Sequence, residues 1–218
     1  MKPDEIRKAN MVIFDIEGSG GRVEHDPYST GSIVSIGAVD FNTGEEFYQE
    51  CRVMEGRGYN EGALRVNGFT KEGIYDTGKQ SVLELLVKFE DFCRAHDSTI
   101  IGAWGDYDRK MLLAAYEYYG REWRLPGTYA NLKGLSKQIL GSNRSGLSNT
   151  AMKLNIPPET YPHIGINGAR LATENVFMLL FGKHYYESYQ QCEIPKLDRA
   201  VPDMHVIRII ERRKQRNV

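Results

Sequence analysis

Alternation of apolar and polar residues divides the first quarter of this chain into three short apolar segments, which predict β-strands. The first covers residues 11–16 and is apolar at most positions, as expected of a buried strand. The second covers residues 32–41 and the third residues 46–53. Asn42-Thr43-Gly44 stands between them and has the composition of a hairpin turn. The second and third strands are therefore predicted to form a hairpin.

Helical periodicity dominates the remainder of the chain. Residues 81–95 carry apolar side chains at the spacing of one helix face, and residues 98–104 have the pattern of a buried strand. A helix is predicted over residues 107–119, with Asp106 as a favourable N-cap. Further helices are predicted at residues 130–140, 146–154, 169–180 and 203–216. This order of elements is typical of an α/β protein in which helices pack on a mixed sheet.

The composition of the 218 residues is that of an ordinary globular protein, with 41% hydrophobic and 26% charged residues. The formal net charge of −1 excludes a global basic field, so any site for a polyanion has to be a local patch. Cys51, Cys93 and Cys192 have neither disulfide nor zinc spacing, and no apolar run is long enough to cross a bilayer. We therefore expect a cytoplasmic protein with no membrane partner.

Two carboxylates at the end of the first predicted strand are the first candidates for chemistry. Asp15 and Glu17 are two residues apart, so on a strand they project from the same face. Adjacent carboxylates repel each other and resist burial unless a cation compensates them, and hard divalent metals prefer such oxygen ligands. A strand that ends early, with both acids solvated, explains the pattern equally well. On these residues alone both interpretations stay open.

A second acidic cluster follows the fourth predicted strand. Asp106 and Asp108 lie at the start of the next predicted helix. A carboxylate in the first turn of that helix would lie over the edge of the sheet and could reach a metal held by Asp15 and Glu17. The alternatives are a helix cap for Asp106 and, for Asp108, an acid that complements the helix dipole. Spacing alone does not decide between these roles.

Segments in order along the chain resemble the motifs of the DEDD superfamily of 3′–5′ exonucleases, in its histidine-bearing DEDDh branch of DnaQ-like and RNase T proteins. Residues 14–20 (Phe-Asp-Ile-Glu-Gly-Ser-Gly) are similar to the first motif, in which Asp-x-Glu is followed by small residues. Asp108, with Leu112 four residues later, is similar to the second motif. Pro162-His163 is similar to the third motif. Each match alone is weak, and their order gives the resemblance its strength.

Two other segments extend the resemblance and indicate the fold. Residues 33–39 look like the second strand of the family, and residues 63–72 are similar to a further family segment, with Asn67 where histidine is usual. The resemblance implies a ribonuclease H-like mixed β-sheet flanked by α-helices. It places the exonuclease domain at residues 1–182. Residues 183–218 are then expected to form a C-terminal extension with a basic helix, packed on the same domain.

The resemblance implies a two-metal phosphodiesterase. Asp15, Glu17 and Asp108 match the family's catalytic ligands for two Mg²⁺ or Mn²⁺ ions, and His163 matches its general base. The implied activity is 3′–5′ exonucleolytic hydrolysis at single-stranded 3′ ends of DNA or RNA. Several relatives are dimers, so a homodimer is compatible with the resemblance.

One part of the third motif departs from the family. The family places an aspartate five residues after the histidine and often another at four, whereas this chain has Gly168 and Asn167. The missing fourth carboxylate predicts that one of the two ions binds weakly. The amide oxygen of Asn167 is a neutral metal ligand that could partly replace it. Three explanations stay open: a natural variant with a rearranged site, a substitution made to trap substrate, or a degenerate relative that only binds.

A glycine-rich turn and two aromatic residues are candidates for substrate binding. In the family the residues after the Glu contact the terminal nucleotide through backbone groups, which implies this role for Gly18, Ser19 and Gly20. The Ser19 hydroxyl could also donate to a phosphate or a sugar hydroxyl, and Phe69 and Tyr107 could stack on a terminal base. The alternatives are a plain loop for the turn and core packing for the aromatic rings.

Three functions therefore remain to be compared. The leading one is a metal-dependent exonuclease, and the second is a catalytically impaired relative that binds nucleic-acid ends or serves as a scaffold. The third is a phosphodiesterase for short oligonucleotides, which would share the site chemistry and differ in substrate length. DNA and RNA are not distinguished, because the residues that contact a 2′ hydroxyl have no fixed motif.

Overall fold

The chain folds around a five-stranded mixed sheet. The computed structural model describes residues 2–21, 31–141, 146–157 and 163–187. The strands lie in the spatial order β3-β2-β1-β4-β5 and cover Met11–Gly18 (β1), Ile33–Asp40 (β2), Glu46–Glu50 (β3), Ile100–Ala103 (β4) and Thr128–Asn131 (β5). β1, β4 and β5 are parallel, whereas β2 pairs antiparallel with both β1 and β3. The predicted α/β class with a mixed sheet is confirmed.

Helices flank both faces of this sheet. In the described part of the chain they cover Pro3–Arg7 (α1), Glu61–Asn67 (α2), Lys71–Ile74 (α3), Val82–Ala95 (α4), Tyr107–Tyr118 (α5), Leu132–Leu140 (α6), Leu147–Lys153 (α7) and Gly165–Phe181 (α8). α4 and α5 pack on one face, where the rings of Phe14 and Phe89 lie 5.4 Å apart. α6 and α8 pack on the other face, where Ile13 shares a buried cluster with Ala172 and Val176. Among the described helices, none has the length and apolar character needed to cross a bilayer.

The first turn of α8 lies directly on the backbone of β2. A Cβ atom at Gly37 would lie only 2.1 Å from the amide nitrogen of Ile166, so this contact requires a residue without a side chain. α8 begins at Gly165, one turn before the predicted start at residue 169. The apolar pattern missed this turn because it contains Gly165 and Gly168, which are poor helix formers that tertiary packing stabilises here.

Other details of the prediction also differ from the structure. β3 ends at Glu50 instead of residue 53, because the backbone N–H of Val53 donates to the carbonyl of Ile74 (2.8 Å). Asp106 occupies the N-cap position of α5, but its side chain makes no capping hydrogen bond, so the predicted cap is wrong. Sequence patterns also missed α1, α2, α3 and β5, each of seven residues or fewer. Such short elements carry too few positions for a clear periodicity.

The described start of the C-terminal extension, residues 183–187, packs against α8. Glu174 is fully buried in α8, and one of its carboxylate oxygens is bonded to the ring of His184. The other oxygen accepts a hydrogen bond of 2.9 Å from the backbone N–H of Tyr185. The predicted helix over residues 203–216 lies outside the described residues, and the predicted domain boundary stays a prediction.

We expect Gly37→Ala to destabilise the protein severely. The added methyl group would overlap with backbone atoms of α8 and not with a side chain that can move, so a loss of about 3 kcal/mol or more in the free energy of unfolding is expected. Thermal or urea unfolding measures this loss. Gly134→Ala in α6 is the matched control, because nothing lies within 4 Å of a Cβ atom there. Alanine at that helical position should stabilise by about 1 kcal/mol. Wild-type stability of Gly37→Ala would contradict the contact.

Candidate active site

The last part of β1 extends beyond its neighbour β4 and carries the first two candidate acids. β4 pairs with β1 only at Met11–Ile13, whereas β1 continues along β2 as far as Gly18. Asp15 and Glu17 lie in this extension, on the same face as Ile13 and therefore on the face that α8 covers. Glu17 is only 8% exposed. The interpretation in which both acids are simply solvated is therefore wrong for Glu17.

α5 brings the third acid to the free edge of this extension. Asp108 lies in the first turn of α5, is 6% exposed, and accepts a hydrogen bond of 3.0 Å at Oδ1 from the backbone N–H of Ile16. β4 pairs with β1 only as far as Ile13, so the N–H of Ile16 has no partner strand on that side. The Asp108 carboxylate accepts the hydrogen bond that a longer β4 would otherwise accept. The structure thus brings Asp108 to the residue that separates Asp15 from Glu17.

Burial makes the negative charge of Asp108 costly. It raises the pKa of this carboxyl from 3.8 to about 6, although the hydrogen bond from the Ile16 N–H acts in the opposite direction. A nearby cation would stabilise the ionised form of such a buried acid. With Asp15 and Glu17 the site offers three carboxylates, which is the donor chemistry that Mg²⁺ and Mn²⁺ prefer.

The three carboxylates are neighbours, but they do not converge on one point. Within the described ranges, no three His, Cys, Asp or Glu side chains are close enough together to hold a metal ion. The Asp15 carboxylate lies against α8, since a Cβ atom at Gly168 would lie 2.4 Å from its Oδ2 atom. The Asp15 carboxylate therefore rests on the first turn of α8, in the space that a side chain at position 168 would fill. The three carboxylates have the donor chemistry that divalent cations prefer, and their metal roles stay a prediction.

The start of α8 positions His163 and Asn167. His163 precedes the buried N-cap residue Ile164 and has a φ of 63°, a left-handed conformation that costs a non-glycine residue about 1 kcal/mol. The Oδ1 atom of Asn167 accepts a hydrogen bond of 3.0 Å from Arg170, whose guanidinium also binds both carboxylate oxygens of Glu46. Asn167 is thus tied to Arg170, and its predicted role as a metal ligand would require the side chain to rotate.

The glycine-rich turn after β1 is used by the fold itself. Ser19 is fully buried, and its hydroxyl donates to the carbonyl of Gly58 (2.8 Å) and accepts from the N–H of Ser32 (2.9 Å). The hydroxyl proton of Ser19 is thus used within the fold, and its predicted donation to substrate stays a prediction. Gly20 has a φ of 67°, and a Cβ atom there would lie 2.5 Å from Cβ of Ala63. This glycine permits close packing of α2 against the turn.

Of the two aromatic candidates, only Tyr107 is accessible. Tyr107 is 49% exposed, and its hydroxyl would lie 3.0 Å from a Cβ atom at Gly18. Burial raises the pKa of the Tyr107 hydroxyl, and the negative charges of Glu17 and Asp108 raise this pKa further. Tyr107 therefore lies near both acids. Phe69 is 4% exposed and belongs to a hydrophobic cluster. The ring of Phe69 is part of the core, as in the alternative interpretation, and its stacking on a base stays a prediction.

Sequence reasoning missed two residues that face the acids from β2. Gly37 is paired with Asp15, and Ser35 with Glu17, so each pair lies on one face of the sheet. A signal was present in the sequence, since Ser35 and Gly37 are the two small residues that alternate in an apolar strand. This signal does not identify which residues of β1 these two face, because the register between β1 and β2 is not encoded in either strand alone.

Comparisons with known proteins identify the fold. No protein-family model matches the chain, and no curated protein sequence does. Among solved structures, a full-length 3′-exonuclease superposes with a TM-score of 0.64 at 17% identity, over 80% of this chain and 61% of that one. A 3′-exonuclease described with histone mRNA stem-loop gives 0.61 at 15% identity, over 80% and 83%. Exonuclease X in complex with 5′ overhanging duplex DNA gives 0.52 at 16% identity, over 79% and 93%.

These likenesses confirm the predicted fold. The chain has the ribonuclease H-like α/β fold of these exonucleases, and in this chain the fold consists of a mixed five-stranded sheet with flanking helices. At identities of 15 to 17% they establish architecture and leave the chemistry of the site to be argued from its own residues. The chain spans about three fifths of the length of the full-length 3′-exonuclease.

We expect Asp108→Asn to stabilise the metal-free protein at alkaline pH. Folding raises the pKa of Asp108 from 3.8 to about 6, so the protonated carboxyl favours the folded state. This contribution to the free energy of unfolding is complete below pH 3.8 and is lost as the pH rises through about 6. The ionised acid then costs the folded state about 3 kcal/mol, which the neutral amide avoids while still accepting from the Ile16 N–H. Urea unfolding with a chelator, at about pH 8 and near pH 4, measures the difference.

The matched control for this variant is Asp106→Asn. Asp106 is exposed, lies two residues before Asp108 at the N-cap position of α5, and makes no capping hydrogen bond. We expect it to unfold like the wild type at both pH values. A loss of stability in Asp108→Asn at about pH 8 would show that the charge is compensated within the folded chain.

Proposed function

We propose that this protein is a metal-dependent 3′–5′ exonuclease that hydrolyses phosphodiester bonds at single-stranded 3′ ends of DNA or RNA. The observation that carries the proposal is the hydrogen bond from the Ile16 N–H to Asp108, because it joins acids from two distant segments at the end of β1. The fold shared with 3′-exonucleases supports it, since one of them is described with an mRNA stem-loop and another with overhanging DNA.

Asp15, Glu17 and Asp108 would hold Mg²⁺ or Mn²⁺ in this enzyme. Bound there, the ions would neutralise charge on the scissile phosphate and favour attack by water. The chain holds Glu17 on β1 and Asp108 on the Ile16 N–H, while Asp15 has to turn away from Gly168. Because Gly168 offers no fourth carboxylate, one of the two ions is proposed to bind weakly.

His163 is proposed as the general base. A ring nitrogen of a neutral imidazole can accept the proton of the attacking water. His163 lies two residues before α8, whose first turn contacts Asp15 at Gly168. Tyr107 offers an exposed ring beside the acids, on which a terminal base could stack. The homodimer and the cytoplasmic location stay predictions.

Replacement of any one of the three acids by its amide should reduce cleavage by roughly 100-fold or more, because loss of a direct ligand exceeds the 10- to 100-fold effect of an outer-shell change. Asp15→Asn, Glu17→Gln and Asp108→Asn are tested by release of mononucleotides from 3′-end-labelled DNA and RNA oligonucleotides with Mg²⁺ or Mn²⁺. Asp106→Asn is the control and should cleave like the wild type. No release by the wild type from either substrate at high enzyme concentration would refute the proposal, and cleavage confined to dinucleotides would favour the short-oligonucleotide phosphodiesterase.

Gly168 favours a second candidate function, which is the binding of nucleic-acid ends with little cleavage. A fourth carboxylate at this position would need the space that the Asp15 carboxylate now occupies, 2.4 Å from the position of the added Cβ atom. In its present orientation Asp15 therefore excludes a side chain at position 168. A chain adapted to this arrangement could bind a 3′ end and lack a complete set of metal ligands.

The variant Gly168→Asp separates the two functions. If the wild type is an impaired relative, the added acid should raise mononucleotide release by at least about 100-fold while the affinity for the oligonucleotide is unchanged. If the wild type is a competent exonuclease, Gly168→Asp should leave the rate unchanged or lower it. Gly168→Ala is the matched control, since it displaces Asp15 in the same way without adding a carboxylate. Equal gains in both variants would show that displacement of Asp15 is the cause.

A further inference from the structure

The first turn of α5 carries two exposed cations next to the acid Asp108. Arg109 and Lys110 directly follow Asp108 in the sequence, and both side chains are exposed. The positive end of the helix dipole lies at this end of α5, where it stabilises acidic side chains and disfavours basic ones. Among the described residues neither cation forms a salt bridge, whereas Arg94 and Arg170 both do. The fold itself therefore gains little from the two charges at this position.

The guanidinium of Arg109 is held over an aromatic ring. It lies 5.5 Å from the centroid of the ring of Tyr129 in β5, which is a cation–π contact. The hydroxyl of Tyr129 donates to the carbonyl of Gly105, in the loop between β4 and α5, so the ring is fixed at its outer end as well as by the strand. A cation–π contact leaves the N–H donors of a guanidinium available to phosphate oxygens. Arg109 is thus both accessible and positioned.

Arg109 lies on the opposite side of Asp108 from Tyr107. Consecutive residues of a helix are rotated by about 100°, so Tyr107 and Arg109 flank the buried Asp108. The hydroxyl of Tyr107 is 3.0 Å from the Cβ position at Gly18, whereas Arg109 contacts β5. Burial raises the pKa of Tyr129, the charge of Asp108 raises it further and the charge of Arg109 lowers it, so cation and acid share this neighbour. The site therefore has an aromatic ring on one side and a cation on the other.

A nucleic-acid strand that enters this site meets the negative charge of the site itself. Glu17 and Asp108 are buried acids, and Asp106 adds an exposed one. Carboxylates repel phosphates unless cations are nearby, and a net charge of −1 provides no general positive field. Arg109 and Lys110 supply positive charge that belongs to the chain and does not depend on a bound metal. A polyanion is the ligand that gives these two cations a role.

We propose that Arg109 binds a backbone phosphate of the single-stranded substrate, beside the three acids. This inference rests on the proposed function and extends the binding site from Tyr107 across the start of α5 to β5. The planar guanidinium suits the role because it can donate to two oxygens of one phosphate. The contact is made to the backbone, so it is independent of the base sequence and is shared by DNA and RNA. Lys110 adds to the local positive charge.

The test compares Arg109→Gln with the matched control Arg124→Gln. Arg124 is also an exposed arginine, and it precedes β5. Because β1, β4 and β5 are parallel, the start of β5 lies at the end of the sheet away from the acids. Fluorescence anisotropy measures the affinity for labelled oligothymidylate and oligouridylate of about 12 nucleotides over a series of KCl concentrations. A chelator prevents cleavage and removes any contribution of metal, and Arg109→Lys serves as the variant that keeps the charge.

We expect Arg109→Gln to bind both oligonucleotides roughly tenfold more weakly than the wild type at about 50 mM KCl. The slope of log K against log [KCl] should become shallower by about 0.7, which is the value for one phosphate contact on a single strand. Arg109→Lys should keep the wild-type slope, and Arg124→Gln should keep both the affinity and the slope. The melting temperature of Arg109→Gln should be close to that of the wild type, because the side chain is exposed.

Equal affinity and slope in the wild type and Arg109→Gln overturn the inference and leave the proposed function intact. An equal loss in Arg124→Gln shows a general effect of charge and overturns it too. Weaker binding with an unchanged slope and a lowered melting temperature shows that Arg109 has a structural role, which also overturns it. No binding by the wild type in the chelator overturns the inference, while release of mononucleotides with Mg²⁺ or Mn²⁺ still decides the proposed function.

Discussion

The contact between the backbone of Gly37 and the first turn of α8 determines the geometry of the whole site. Because Gly37 carries no side chain, the helix backbone lies directly against the sheet at the position where β1 presents its acids. The same turn closes over Ser35, supports the carboxylate of Asp15 and begins just after His163. A helix held at the ordinary distance from a sheet would leave these groups too far apart to act together.

The acids of the site are placed where the regular hydrogen bonding of the sheet ends. β4 stops pairing at Ile13, and α5 supplies the carboxylate of Asp108 to the next outward N–H, at Ile16. This placement satisfies the backbone, but it confines a negative charge to a buried position next to Glu17. The fold therefore carries an electrostatic cost that a bound cation would remove.

Much of the fold was predictable because it depends on long periodic segments. The strands that include Ile13 and Val34 and the helix that includes Phe89 were recognised from the spacing of apolar residues. The pairing of Ser35 with Glu17 was not predictable, since strand register depends on contacts between separate segments. The burial of Ser19 was missed for the same reason, because its partners come from residues elsewhere in the chain. Short elements such as β5 are formed by pairing with β4 and have too few residues for a periodic signal of their own.

The position of the Asp15 carboxylate over Gly168 has a consequence for the evolution of the chain. Substitutions at residues 15 and 168 compete for one volume, so their effects on stability and binding should be non-additive. A larger residue at 168 becomes acceptable only when residue 15 has changed its rotamer or its size, and the order of the two changes then matters. The pair therefore acts as an epistatic constraint, in which the effect of a substitution at either position depends on the residue and rotamer at the other.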